Sequence, residues 1–223
     1  MTEVTTPQQR LRIRFSKGEA LKYISHLDLA RTWERVFRRG GLPVAYSQGF
    51  NPRPRFQIAA ALPVGVTGRA ELLDVWLDRA WSPDDLGAQI KPVLPSGLDV
   101  IDLAEVTLRE PSLQSQLRTA DYSAVVRSDE PVKAIRTRIQ ALLDMPTIPR
   151  QRHHKGKWQS YDLRPLVRRL TVHPAPDGAW VLRMRLQASP QGAGRPSEVL
   201  DALGLTLAPY SIERTNLSFE LDK

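Results

Sequence analysis

Three groups of side chains are of types that could do chemistry, and their spacing says which kind. His26 and Asp28 lie two residues apart at the start of a helical pattern, where an imidazole and a carboxylate could move a proton between them. An exposed histidine beside a helix cap is the plainer reading of the same residues. The second group is Arg152-His153-His154-Lys155-Gly156-Lys157-Trp158. Adjacent histidines in an extended segment point to opposite faces, and a metal ion needs three or four converging ligands. With four histidines and no cysteine in the chain, no metal site is expected. Phosphate contact suits the group better: Arg152, Lys155 and Lys157 supply cations, His153 stands among them, and Gly156 lets a backbone approach closely. The third group is the loop from Tyr46 to Arg55. Rings at Tyr46 and Phe50 could stack on a base, amides at Gln48 and Asn51 could read a base edge, and Arg53 and Arg55 could neutralise phosphates.

The elements that must position these groups are legible nearby. Ser25 reads as a helix N-cap, with Asp28 three residues on at the positive end of the helix dipole. Leu29, Ala30, Trp33, Val36 and Phe37 follow helical spacing and make one apolar face, while Arg31, Glu34, Arg35, Arg38 and Arg39 fall away from it. Gly40-Gly41 ends the helix, because glycine takes the left-handed cap conformation without strain. Two prolines and one glycine between Ser47 and Arg55 exclude a continuous helix or central strand there. The loop is therefore expected to be held between an extended Pro43–Tyr46 and an extended Phe56–Leu62, with Phe50, Asn51, Arg53 and Arg55 near its tip.

Charge points to the same places. The net charge is +8 over 223 residues. Residues 31–55 hold six arginines against one acid, Glu34; residues 150–169 hold seven Lys or Arg against one acid, Asp162, so the remainder is net acidic. Clustered cations of this kind are the electrostatic footprint of a polyanion partner, and solvated charge on two surface elements is the bland alternative. The N-terminal MTEVTTPQQR lacks a signal peptide's apolar core, and no apolar run approaches the length of about 20 residues that a membrane helix needs, so a cytoplasmic protein with no membrane contact is expected. Without cysteine the chain cannot form a disulfide or bind an iron–sulfur cluster through thiolates. The Gly-rich Gln191–Arg195 lacks the Lys-Ser/Thr of a phosphate-binding loop, no serine-nucleophile elbow occurs, and no cofactor is expected.

Read in order, Leu11–Phe15 alternates as a half-buried strand, the central helix follows, and Arg69–Leu77 is a further strand. Ser82-Pro83 opens a second helix with Leu86, Ile90, Val93 and Leu94 on its buried side, and Leu98–Val106 is a strand. Residues 107–119 read as a polar linker. A strand at Asp121–Arg127, a helix from Glu130, a basic extended Arg150–Tyr161, strands at Leu163–Val172 and Ala179–Ala188, a helix from Arg195 and a strand from Tyr210 complete the chain. The expected fold is α+β, a tandem of two ferredoxin-like (βαββαβ) units with antiparallel sheets, over 1–106 and 120–223.

Ser25-His26-Leu27-Asp28-Leu29, Glu34-Arg35 with Arg38-Arg39, Leu42-Pro43, Tyr46-Ser47-Gln48-Gly49-Phe50-Asn51-Pro52 and Leu62-Pro63-Val64-Gly65 together resemble the family called radical-SAM-linked proteins. Lys155-Gly156-Lys157 and Asp162-Leu163-Arg164-Pro165 add a later, weaker match. The family is a domain of unknown function found beside, or fused to, radical SAM enzymes. The resemblance implies a radical SAM enzyme as partner and supplies no catalytic residues. With the charge pattern it suggests a non-catalytic accessory that presents RNA, tRNA or rRNA, through Arg31, Arg35, Arg38, Arg39, Tyr46, Gln48, Phe50, Asn51, Arg53, Arg55, Arg152, His153, Lys155, Lys157 and Arg164. Two alternatives stay open. One is an RNA-processing or RNA-modifying enzyme without a metal, using His26 or Asp28; paired ferredoxin-like units occur in such endonucleases and in pseudouridine synthases, whose usual Gly-Arg-Thr-Asp signature is missing here. The other is a module that docks an acidic patch of the radical SAM partner.

Overall fold

Apolar side chains alternating with polar ones from Gln9 onward build the strand at the centre of the first half, β1 (Gln9–Lys17). In the computed structural model, which describes residues 7–48, 50–154, 156–175, 177–205 and 210–219, the chain divides into two compact units, the first ending at Gln116 and the second beginning at Leu117. In the first unit β1 pairs antiparallel with β3 (Val66–Leu77) on one side and β4 (Leu98–Val106) on the other, and β2 (Phe56–Ile58) pairs with β3. The resulting order is β4-β1-β3-β2.

Helix α1 (His26–Arg39) starts where Ser25 Oγ accepts the Asp28 N–H at 3.1 Å. It stops in a Schellman arrangement: Leu42 N donates to Phe37 O at 3.0 Å, Gly41 N donates to Arg38 O at 3.2 Å, and Gly41 holds φ +64°. Its apolar stripe and that of α2 (Pro83–Ile90) lie on β1 and β3. Leu29, Trp33, Val36, Phe37, Leu86 and Ile90 are buried against Leu11, Ile13, Phe15, Leu73, Val75 and Leu77. Trp33 is wedged between Phe15, edge-on at 5.1 Å, and Phe37 at 5.5 Å. Burial of each such ring contributes about 2–3 kcal/mol.

Part of the other face of this sheet, around Arg10, is covered too, by residues 107–116, the stretch expected as a linker. The Arg10 guanidinium, 1% exposed, donates to the carbonyls of Glu110 and Pro111 as well as to Asp74. Gln114 Nε2 donates to Ile58 O at 3.0 Å and Leu113 of the short α3 (Leu113–Gln116) is fully buried. A buried guanidinium needs acceptors, and this segment provides them. The next strand therefore begins at Leu117, ahead of the expected Asp121.

The second unit contains β5 (Leu117–Val126), α4 (Val132–Asp144), β6 (Pro149–His154), β7 (Lys157–Asp162), β8 (Val167–Pro174), β9 (Trp180–Ser189), the two-residue β10 (Gly192–Ala193), α5 (Pro196–Ala202) and β11 (Tyr210–Phe219). Strand β5 pairs antiparallel with β9 and β11, and β8 pairs with β9, giving β8-β9-β5-β11. Ile135, Ile139 and Leu142 of α4 are buried, as are Leu182, Met184 and Leu186 of β9. Two expectations shift here. Arg150–Tyr161 is a hairpin rather than one extended run, since Gly156 at φ +77° turns the chain and β6 pairs with β7. The strand expected from Leu163 starts at Val167, after a single 3-10 turn over Arg164–Leu166 that Pro165 opens. The protein is thus mixed α+β with antiparallel strands. Among the described residues no helix is long and apolar enough to cross a membrane.

Candidate nucleic-acid interface

In the first unit the site is built from the end of α1 and the hairpin that follows it. Pro43 to Arg55 is held by isolated bridges rather than regular strands: Tyr46 opposes Pro54 within the segment, and Val44 opposes Leu77 of β3. Ser47 N donates to Arg53 O at 2.9 Å, Arg55 N to Ala45 O at 2.8 Å, and Arg53 N to Ser47 Oγ at 3.0 Å. The base is tied to β3 as Ala45 N donates to Trp76 O at 2.8 Å and Trp76 N to Arg55 O at 3.0 Å. Backbone bonds therefore fix the hairpin on both sides of its tip, and its prolines lower the entropy left to lose on binding. At the tip Gln48 and Asn51 are exposed, and Phe50, at 107% relative exposure, touches almost nothing of its own chain. Tyr46 is half-buried at the base.

Phe37 of the last helical turn meets Phe56 edge-on at 5.6 Å, so that turn lies against the base of the hairpin. Arg38 and Arg39 of the same turn, and Arg53 and Arg55 of the hairpin, are all exposed. The Arg55 guanidinium lies over the Trp76 ring at 5.1 Å, and that of the buried Arg10 over the same ring at 4.9 Å. A cation over an indole is held in place while its N–H groups stay available. Arg35 is exposed and donates to Thr32 Oγ1 at 3.1 Å; Arg31 pairs with Asp28 at 3.1 Å.

The proposed acid–base residues sit at the opposite end of α1. Asp28 accepts from Ser25 Oγ at 2.7 Å and from Arg31 Nη1 at 3.1 Å. The Ser25 hydroxyl, and then Arg31, hold its carboxyl below the usual carboxylate range. A carboxylate so held is a stable anion and a weak base. His26 is half-buried in the first turn.

In the second unit the candidate residues lie on the β6–β7 hairpin. Register pairs Arg150 with Tyr161, Arg152 with Gln159, His153 with Trp158 and His154 with Lys157. Directly opposed residues share a face and the face alternates along each strand, so Arg150, Arg152, Lys157, Gln159 and Tyr161 fall on one side and Trp158 on the other. Lys157 is exposed and Trp158 is 71% exposed. Lys155 and the side chain of His153 lie outside the described residues. Arg152 covers the Tyr161 ring at 5.0 Å. Burial pushes the Tyr161 hydroxyl's pKa up and the neighbouring Glu198 carboxylate pushes it further in the same direction, though the two fall short of hydrogen-bond geometry. Tyr161 is therefore a half-buried, neutral ring, and Trp158 is the more exposed of the two.

Arg164 is committed inside the fold. Its Nε donates to Leu143 O at 2.9 Å and its Nη1 to Val167 O at 3.1 Å, satisfying the end of α4. Asp162 does not pair with that guanidinium: its Oδ1 accepts the backbone N–H groups of Ile148 at 2.7 Å and Arg164 at 2.9 Å. The Arg10–Asp74–Arg12 network under Trp76 is the feature that sequence reasoning missed. Its members sit on neighbouring strands, β1 and β3, 62 and 64 residues apart in sequence, and no local signal joins them.

Fold and site together define a basic α+β protein of two units, each carrying a cationic hairpin with an outward aromatic ring. The chain belongs to the family described as an uncharacterized protein conserved in bacteria (DUF2344), whose pattern matches residues 10–196. Among solved structures it is similar to a chain in a crystal structure of a Cbf5-Nop10-Gar1 complex, with a TM-score of 0.50 and 15% identity over 95% of this chain and 50% of that one. An archaeal box H/ACA sRNP Nop10-Cbf5 complex gives a TM-score of 0.46 and 13% identity, covering 95% and 49%. An H/ACA RNP bound to a substrate RNA containing 2'-deoxyuridine gives 0.44 and 11%, covering 92% and 47%. The chain thus spans about half the length of the chains it matches, and at these identities the likeness is one of fold. No curated protein matches the sequence significantly.

Proposed function

We propose that this protein is a non-catalytic RNA-binding accessory that holds structured or single-stranded RNA, of the tRNA or rRNA class, for a separate radical SAM enzyme. The observation that carries the RNA half is the hairpin of residues 44–55: a ring at its tip with full exposure, on a backbone fixed by its own hydrogen bonds, beside exposed arginines. Arg38, Arg39 and Arg53 make no ion pair among the described residues, so their charge is available to a polyanion. The fold shared with a chain of a Cbf5-Nop10-Gar1 complex adds an architecture to this reading, and no activity. The radical SAM half rests on the motif resemblance at residues 25–65 alone.

We also read each unit as ferredoxin-like. In favour stand the orders β4-β1-β3-β2 and β11-β5-β9-β8, which place the first, second, third and fourth main strands of each unit alike. The β6–β7 hairpin is then an insertion between the first helix and second main strand of its unit.

A gel-shift titration with total tRNA at several salt concentrations tests the RNA half. Log affinity should fall linearly with log salt, with a slope near −0.7 to −0.9 per phosphate contact. An affinity indifferent to salt, or no binding, refutes it. Co-purification with the radical SAM enzyme after nuclease treatment tests the partner.

A further inference from the structure

The sheet of the second unit buries one face and leaves the other in solvent. Ala120, Tyr122, Ala124, Leu182, Met184 and Leu186 are buried on the apolar side. The residues between them point the other way, because side chains change face at every step along a strand. They include Arg183 and Arg185 of β9 and, directly opposite Arg185, Arg169 of β8. Arg168, at the irregularity in β8, reaches the same side, since its Nη2 donates to Gln187 Oε1 at 2.6 Å. All four arginines are exposed. Asp121 of β5 holds Arg185 through two bonds, at 2.8 and 3.0 Å. Arg169 and Arg183 make no ion pair or side-chain hydrogen bond among the described residues. The next carboxylate on this side, Glu213 of β11, is separated from Arg183 by Ser123. Like charges set directly opposite one another weaken a sheet. Arg169 against Arg185 carries that cost with one carboxylate to offset it, so the stability of the fold gives no reason for these cations.

We infer that the outer face of β8 and β9 is a docking surface for the sugar-phosphate backbone of base-paired RNA. The inference rests on the RNA-binding reading above and adds where RNA is held and in which form. A guanidinium presents a planar fork of N–H groups that matches a phosphate bidentately. Arg183 and Arg185 stand about 6.8 Å apart along β9, and Arg169 is about 5 Å across from Arg185. The cations therefore spread in two directions, as a patch and not a line, and a duplex offers the phosphates of two strands at once. Single strands are held by rings on which bases stack. Besides the arginines and Gln187, register gives this face Thr119, Ser123, Val125, Thr171 and Val181, and its one ring is the imidazole of His173, tied to Thr171 Oγ1 at 3.0 Å. Such a surface follows backbone shape and reads no base.

Fluorescence anisotropy on the full chain decides it, with a labelled RNA duplex of about 20 base pairs and an oligouridylate of about 20 nucleotides as probes. The wild-type protein should bind the duplex more tightly. Arg169→Gln and Arg183→Gln should each flatten the duplex's salt slope by about 0.9, which is about eightfold in affinity at 0.1 M salt. Arg136→Gln removes the same charge from the exposed side of α4 and should leave the slope as it was. The urea midpoints of Arg169→Gln and Arg183→Gln should equal or exceed that of the wild type, which residues kept for the fold would not show.

If the wild-type protein binds RNA with the expected salt slope while all three variants behave alike, or if the single strand is preferred, the docking surface falls and the RNA reading stands. Lowered midpoints for Arg169→Gln and Arg183→Gln have the same consequence, since the arginines are then structural. If neither probe nor total tRNA binds, both fall, and the patch is left as a surface for an acidic protein.

Discussion

Replacing Asp74 by alanine should destabilise the protein by about 3–5 kcal/mol, the range for removing one partner of a buried ion pair. Asp74 has no exposed surface on β3. It accepts from Arg10 at 3.0 Å through Nε and 2.5 Å through Nη2, and from Arg12 at 2.9 Å and 3.1 Å. The two arginines do not suffer equally. Arg12 is 21% exposed and keeps Glu110 at 3.3 Å, so water and that carboxylate take over much of its charge. Arg10, at 1% exposure, would keep the carbonyls of Glu110 and Pro111 and the Trp76 ring, and no counter-charge of its own. Nearly the whole cost therefore comes from one desolvated guanidinium without a counter-charge. Asp74→Asn should come close to the alanine value, because its amide would turn donors toward donors. The double replacement Arg10→Met with Asp74→Leu should recover most of the loss, since apolar residues of similar volume bury without a charge. Equilibrium urea unfolding followed by circular dichroism measures all three. A loss below about 1 kcal/mol for Asp74→Ala, the size expected of an exposed pair, would refute the reasoning. Near-neutrality of the alanine variant alongside a costly double replacement would do so even more sharply.

Gly41→Ala should cost about 1 kcal/mol in the same unfolding experiment: Gly41 sits at φ +64° with open space around it, so the penalty is conformational and not steric. Arg164→Ala should lower stability by about 2 kcal/mol through the two carbonyls it leaves on α4 and β8, and RNA affinity at fixed salt should change far less than in Arg53→Gln. Tyr161 should remain protonated when ordinary tyrosines ionise, so absorbance titration of the tyrosinate band should show one of the five tyrosines lagging. Because its folded pKa is raised, the stability it contributes is complete below the ordinary tyrosine pKa of 10.0 and is lost as pH climbs above it. Tyr161→Phe should flatten that alkaline loss, and an unchanged stability-against-pH curve would count against the partial burial of this hydroxyl beside Glu198.

Segments whose outcome depends on a few neighbouring residues were legible without coordinates. The start of α1 at Ser25 and its stop at Gly40-Gly41 follow from cap chemistry within one turn, as does the start of α2 at Ser82-Pro83. The turn after β8, where Gly178 sits at φ +77°, follows from its Pro-Asp-Gly composition. The cationic loop was legible because proline and glycine exclude the alternatives. Arg164 shows the limit. As a basic residue in a basic stretch it suited a phosphate, and only the position of Leu143, 21 residues earlier, commits it to the fold. The tryptophans show it again. Trp33 and Trp158 are the same residue type in amphipathic surroundings, yet one is fully buried and the other is 71% exposed.

What the sequence determined by itself was therefore the set of local stops, starts and alternations, together with the two places where positive charge accumulates. These depend on backbone preferences and on charges counted along the chain. The tertiary structure alone decided which alternating faces were covered twice, which cations were spent on carbonyls and Asp74, and which rings were left in the water. Those outcomes turn on burial, and burial is set by contacts between segments far apart in the chain, whose partners no short window contains.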